Sequence, residues 1–301
     1  MNDQAAGLRV LAYRKRHDAA VAPAGGSSRV VCITSGKGGV GKTNLAANLG
    51  ILLSQRGNRV ILLDADLGLA NLDMVMGISP RLTLEHLIRG EVADIKDIVL
   101  EGPEGVRIVA GGSGIRELAN ISQAGLDRLL NGFIGLQDLG DLLLMDTGAG
   151  IQDSVMGFVQ TASEVIIVTT PEPTAMADAY AIIKIVAAQQ SEAKLSLIAN
   201  MCRGAEDGRA VLERLSLVSN QFLGVRLRSL GWIPRDERVV NSVRRREPFV
   251  VAYPSSPATR SLEEIADTLS LSASRTRSPA QGLAAAVERL RMAFSRGRAR
   301  D

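Results

Sequence analysis

The chain has 301 residues, 46% of them hydrophobic and 22% charged, enough to bury one large core in a single α/β domain with tails. No apolar run approaches the roughly 20 residues needed to cross a bilayer, and the start Met-Asn-Asp-Gln lacks a basic and apolar export signal, so a cytoplasmic protein is expected. The net charge of +3 is unevenly spread: residues 1–18 carry four basic and two acidic side chains and residues 271–301 carry seven and two, which leaves residues 19–270 at −4. The basic tails therefore point to an anionic contact, and the acidic body argues against a broad nucleic-acid surface; its one sharp basic cluster, Arg244-Arg245-Arg246, reads by default as a solvated helix end, with a DNA contact as the weaker alternative.

Residues 2–16 read as a short helix, with Asn2 or Asp3 as N-cap, Ala5, Leu8, Leu11 and Ala12 on one face, and basic residues in the last turn. A linker rich in Ala, Gly, Pro and Ser follows over 19–29. From 30 to 269, short β-branched runs alternate with helical stretches, the pattern of a mostly parallel sheet covered on both faces. The expected strands are Val30–Thr34, Val60–Asp64, Val106–Ala110, Leu142–Asp146, Val165–Thr170, Leu195–Asn200 and Ser229–Ile233. A second linker spans 270–281, and 282–301 holds a basic amphipathic helix and tail. Leu283, Val287, Leu290 and Phe294 share that helix's apolar face.

Cys32 and Cys202 lie apart in apolar runs and read as core thiols. His17 and His86 have no second ligand at metal-binding spacing and receive no role. Chemistry concentrates elsewhere. Gly36-Lys37-Gly38-Gly39-Val40-Gly41-Lys42-Thr43 fits GxxxxGK[ST] between a strand and a helix, with Asn44 in the first helical turn. Glycines there let successive N–H groups converge on phosphates, Lys42 reaches the β/γ-phosphates, and the Thr43 hydroxyl ligates Mg²⁺. Asp146 ends an apolar strand as a carboxylate for the Mg²⁺ shell. Asp64 and Asp66 end another strand: one of the two is read as a cap for the next helix and the other as free to orient or deprotonate water.

Lys37 within KGGVGKT, Asp64-Ala65-Asp66 and Asp146-Thr147-Gly148-Ala149-Gly150 together resemble the P-loop, switch I and switch II of the MinD/ParA group, deviant Walker A ATPases, over essentially all of 30–269. The resemblance implies a P-loop α/β fold, slow Mg²⁺-dependent ATP hydrolysis with ATP/ADP as the bound nucleotides, and an ATP sandwich homodimer. Within it, Lys37 reaches the phosphates of the partner subunit, Asp66 positions water and Asp64 couples switch I to the nucleotide. It also implies that Asn200 pairs with the adenine edge, and that Pro234, Arg235 and Asp236 form the adenine loop. Met201 stands where some relatives place an arginine, so the group stacking on the base stays open.

Asp3-Gln4-Ala5-Ala6-Gly7-Leu8-Arg9 fits DQAxxLR, and it, Thr169–Thr174 and Asp178-Ala179-Tyr180 are similar to the FlhG/FleN flagellar-number regulators of that group. That resemblance implies that Asp3, Gln4, Ala5, Leu8 and Arg9 bind a signal-recognition-type flagellar GTPase, with Gln4 entering a composite active site. It further implies contacts with flagellar C-ring proteins and a flagellar transcription activator. The C-terminal helix then reads as a reversible anchor on the inner face of the cytoplasmic membrane, each buried apolar side chain contributing at most roughly 1.5 to 3 kcal/mol. Docking of that helix on its own domain is the competing reading. A division-site MinD, a DNA-partitioning ParA, and a P-loop synthetase or iron–sulfur carrier are the alternative functions; DQAxxLR speaks against the first, the amphipathic tail against the second and the unpaired cysteines against the carrier, while ATP turnover dependent on a small substrate would reveal a synthetase.

Overall fold

The computed structural model describes residues 29–112, 121–189, 193–273 and 286–291. The expected N-terminal helix, with Asp3, Gln4, Ala5, Leu8 and Arg9, lies outside the described residues, as do Leu283 and Phe294. The chain proceeds through β1 (Arg29–Ser35), α1 (Lys42–Gln55), β2 (Val60–Ala65), α2 (Leu72–Met76), α3 (Leu84–Arg89), β3 (Val99–Glu101), β4 (Arg107–Val109) and α4 (Gln123–Gly135). It continues with β5 (Leu142–Ala149), α5 (Asp153–Thr161), β6 (Glu164–Thr169), α6 (Pro173–Ala188), β7 (Lys194–Cys202), α7 (Ala205–Leu223) and β8 (Arg228–Pro234). Helices α8 (Glu237–Arg245), α9 (Phe249–Ala252) and α10 (Pro257–Ala273) close the domain, and residues 286–291 form a further helix, α11.

The strands form one sheet in the order β3-β4-β2-β5-β1-β6-β7-β8. All seven expected strands are present and parallel; the eighth, β3, pairs antiparallel with β4 at the edge. At three residues β3 is too short to show a period in the sequence. Alternation along the central strands divides the core in two. Cys32, Ile61, Leu63, Leu143, Met145, Val165 and Ile167 enter one apolar layer, with α3 to α7. Val31, Ile33, Val60, Leu62, Leu144 and Ile166 enter the other, with α1 and α10. Each central strand is thus buried on both faces, as helix-covered parallel sheets require.

At the N-terminal edge of the sheet, Glu164 is only 2% exposed and is neutralised by Arg29, with Arg228 at 3.9 Å and the Ser196 hydroxyl donating at 2.7 Å. Arg228 and Arg29 also donate to the Thr268 and Leu269 carbonyls, at 3.0 and 3.4 Å, near the end of α10. Helix α10 runs to Ala273, four residues into the segment read as a linker. His86 completes a capping box with Thr83 at the start of α3, a structural use for a histidine given no role from sequence.

Candidate functional site

Strand β1 ends at Ser35 and α1 starts at Lys42, so residues 36–41 form a loop over the C-terminal end of the central strand. This is where the strand order reverses direction and where ligands bind in open α/β sheets. Gly39 and Gly41 adopt φ of 80° and 85°, a region costly for residues with a Cβ. Gly36 faces α6 so closely that a Cβ would lie 2.3 Å from the Asp178 carbonyl carbon. Space above Gly38 and Gly39 is open, with no atom within 4 Å of a Cβ built there. Helix α1 has no side-chain N-cap, which leaves its first N–H groups directed at the cradle.

Lys42 is 8% exposed and its Nζ donates to Asp146 Oδ1 at 2.7 Å. Burial raises the Asp146 carboxyl pKa, opposed by the Lys42 charge and hydrogen bonds from Lys42 and Thr43. Asp146 Oδ2 is buried and has no hydrogen-bond partner. An unpaired buried carboxylate oxygen beside a threonine hydroxyl and an open, N–H-lined cradle is the donor set that Mg²⁺ and a triphosphate need. The residues present therefore fit both groups.

The two acids after β2 divide their work. Asp64 is 1% exposed; its Oδ1 accepts from Asp66 N at 3.1 Å, and its Oδ2 accepts from Asn71 N and Leu72 N, each at 3.1 Å. It is the helix-capping member of the pair, pinning both ends of the loop that leads into α2. Burial, then the nearby Asp146, pushes its carboxyl up to about 7. Asp66 keeps one oxygen for Leu69 N, at 3.0 Å, and faces β5: a Cβ on Gly148 would sit 3.6 Å from Asp66 Oδ1. Register sets this meeting, because Asp64 pairs with Asp146 and Ala65 with Thr147. Beyond Asp146, Gly150 N donates to Ser35 O at 2.8 Å, tying the segment after β5 to the base of the loop.

At the far side of the loop, Asn200 is 6% exposed and its Nδ2 donates to Val40 O at 2.8 Å, which fixes the amide and leaves its oxygen to accept. Met201 adopts φ 57° and is 42% exposed, with its Cε 3.4 Å from a Cβ built on Gly41. The methionine itself therefore stands over the loop at the position left open by the sequence. Arg235 N donates to Cys202 O at 2.8 Å, holding the segment from Pro234 beside β7, whereas the Asp236 side chain caps α8 through Arg238 N at 2.9 Å.

Lys37 lies against the start of α6, where its Nζ donates to Glu172 Oε2 at 2.6 Å and Thr174 Oγ1 at 3.0 Å. Sequence reasoning gave neither partner a role, although both lie in Thr169–Thr174, a stretch that carries the resemblance. At the other end of the chain, Val287 and Leu290 of α11 are 2% and 0% exposed and join the apolar layer that contains Phe158, Val159 and Ala162. The Arg289 guanidinium donates to Thr161 O at 2.7 Å, at the last turn of α5. The face read as lipid-directed is docked on the body at these two positions.

Together the sheet, the glycine cradle, Lys42 and Asp146 define a P-loop nucleoside triphosphatase. Residues 26–270 match the ParA family described as NUBPL iron-transfer P-loop NTPase. The chain is 41% identical over 238 residues to the antiactivator FleN of Pseudomonas aeruginosa, covering 79% of this chain and 85% of that protein. It is 38% identical over 269 residues to the flagellum site-determining protein YlxH of Helicobacter pylori, covering 88% and 90%. Among solved structures, the septum site-determining protein MinD of Pyrococcus horikoshii, complexed with Mg-ADP, superimposes with a TM-score of 0.66 at 27% identity, covering 80% of this chain and 96% of that one. The chain belongs to the MinD/ParA family of P-loop NTPases and is an ATPase that works with ATP, ADP and Mg²⁺.

Proposed function

We propose that this ATPase is a nucleotide-driven switch that sets flagellar number and placement, dimerising on ATP and cycling between cytoplasm and membrane. The observation that carries the reading is the similarity at 41% and 38% identity, over most of the chain, to FleN and to YlxH. Bound Mg-ATP supplies the γ-phosphoryl group and the cation that offsets its charge. The N–H groups of Gly38 to Lys42 cradle the phosphates, and Lys42 exchanges Asp146 for them. Thr43 and Asp146 hold the Mg²⁺ shell, the Asn200 oxygen accepts from the adenine amine, and the backbone of Pro234 to Asp236 borders the base. Asp66 positions the attacking water, while Asp64 holds the loop that carries it. Lys37 leaves Glu172 and reaches the phosphates of a second copy, as the resemblance implies.

The docked α11 supports a gated anchor. Val287 and Leu290 cannot face lipid while buried, so membrane binding requires release of this helix from α5. Helix α5 follows directly on the switch II segment, which gives the nucleotide a short path to the anchor. Two released helices on one dimer bind with avidity that a single helix lacks. Residues 1–18, through Gln4, engage a signal-recognition-type flagellar GTPase.

The test is GTP hydrolysis by the flagellar GTPase of the same source, with and without the full chain and its Gln4→Ala variant. Stimulation that disappears with Gln4→Ala is expected. An active GTPase that the chain does not stimulate would remove the flagellar assignment and leave the division-site and DNA-partitioning roles.

A further inference from the structure

Helix α8 and its C-cap carry four exposed arginines, Arg238, Arg244, Arg245 and Arg246, against one acid, Glu237. Among the described residues, Arg29, Arg56, Arg59 and Arg89 each pair with a carboxylate, whereas none of these four does. A solvated helix end accounts for arginines in the last turn, where they offset the carbonyl end of the dipole. Two further features need another reason. Val240 and Val243 are 44% and 42% exposed and, at i, i+3 and i+4 spacing, stand beside Arg244 on the outer face, while Ser242 faces the body. Arg246 ends the helix at φ 53° and ψ 45°, a left-handed conformation that glycine adopts freely and arginine only at a cost. The corner behind these side chains is braced. A Cβ on Gly77, at the end of α2, would lie 2.4 Å from the Arg246 carbonyl oxygen, so the two helix ends touch. Four residues on, Val250 N donates to Asn48 Oδ1 at 3.0 Å, and Asn48 Nδ2 donates to Asn44 O at 2.7 Å, in the first turn of α1.

We infer that the outer face of α8, with Arg246, is a second membrane contact on the folded body, shaped for the headgroups of an anionic phospholipid surface. The inference rests on the membrane cycling proposed above. Guanidiniums pair with lipid phosphates, and Val240 and Val243 enter the boundary below them, which is the division of work in a basic amphipathic helix lying on a bilayer. Nucleic acid shares the phosphate chemistry but offers two valines nothing, and no aromatic side chain lies between Arg238 and Arg246 to stack on a base. Val239, Phe249 and Val250 pack in the layer of α1, opposite the layer that holds α11. The face is therefore open whether or not α11 is docked, and a body held at the bilayer by α8 keeps α11 at high effective concentration there.

The test uses the full chain, a variant combining Arg244→Gln, Arg245→Gln and Arg246→Gly, and a variant combining Val240→Ser and Val243→Ser. With Mg²⁺ and a non-hydrolysable ATP analogue present, co-sedimentation is measured with vesicles of phosphatidylcholine alone or mixed with phosphatidylglycerol, and binding of duplex DNA is followed separately. The arginine variant is expected to lose at least about tenfold in affinity for the phosphatidylglycerol vesicles, at roughly fivefold per arginine, while its Mg-ADP affinity stays within about twofold. Its melting temperature should not fall, because Arg246→Gly relieves the backbone at that position. The valine variant should also bind these vesicles more weakly. Vesicle binding by the arginine variant equal to the parent's, or a loss that comes with a lower melting temperature, overturns the inference. Duplex binding that the arginine variant loses and the valine variant keeps, with vesicle binding intact in both, assigns the face to nucleic acid instead. A parent that ignores both kinds of vesicle overturns the membrane reading and this inference with it; a parent that binds the phosphatidylglycerol vesicles while both variants do likewise overturns this inference alone.

Discussion

Lys42 and Asp146 hold opposite charges 2.7 Å apart at 8% and 1% exposure, so each is the other's main compensation for leaving water. Removing one partner of a buried pair costs about 3 to 5 kcal/mol, because the remaining charge stays buried. Lys42→Ala is therefore expected to do two separable things. Nucleotide binding measured by calorimetry should vanish, and urea unfolding of the nucleotide-free chain should show a loss of about 3 kcal/mol. Adding Asp146→Asn should recover much of that stability and none of the binding. If Lys42→Ala unfolds like the parent, the pair is not what satisfies Asp146 in the free protein.

At the scale of an element, the loop from Asp66 to α2 is a unit organised by one carboxylate. Asp64 stands at about 7 because burial, and then the Asp146 charge, outweigh the N–H bonds from Leu72 and Asp66 that favour its ionised form. Its pKa in the folded chain lies above the 3.8 of an ordinary aspartate. The folded chain therefore binds this proton more tightly than the unfolded chain. The sign follows: this group's contribution to stability is complete below about pH 4, declines as pH rises toward about 7, and is flat above. Urea unfolding of the nucleotide-free chain at pH 5 and pH 8 should show greater stability at pH 5. Asp64→Asn should flatten that difference whatever it does to stability at one pH, and a difference that survives would assign it to other groups.

Across the whole molecule, α11 extends the apolar layer that α5 shares with the sheet, and Arg289 satisfies a carbonyl at the last turn of α5. Contact of this kind makes the tail part of the folded body, so its release should loosen α5 selectively. Leu290→Asp places a charge where the side chain is fully buried. Amide hydrogen exchange over residues 153–161 should then accelerate, while α1, packed on the opposite face of the sheet, should be unaffected. Unchanged exchange in α5 would mean that docking of the tail contributes nothing to that helix.

The sequence by itself determined the seven parallel strands, the phosphate loop and the carboxylates at the strand ends. These are local properties: apolar runs buried on both faces leave a strand-length signature, and the glycines of 36–41 mark backbone conformations and close approaches that other residues resist. Only the tertiary structure decided how equivalent-looking residues divide the work. Asp64 and Asp66 are two positions apart in one run, yet β5 packs beside them so that the first is buried under three N–H groups and the second faces Gly148. The start of α6 decided that Lys37 rests on Glu172 and Thr174, residues more than 130 positions away. An amphipathic pattern records that α11 buries one face; the apolar surface beside α5 determines where, because the hydrophobic effect is non-directional and any water-free apolar surface satisfies it.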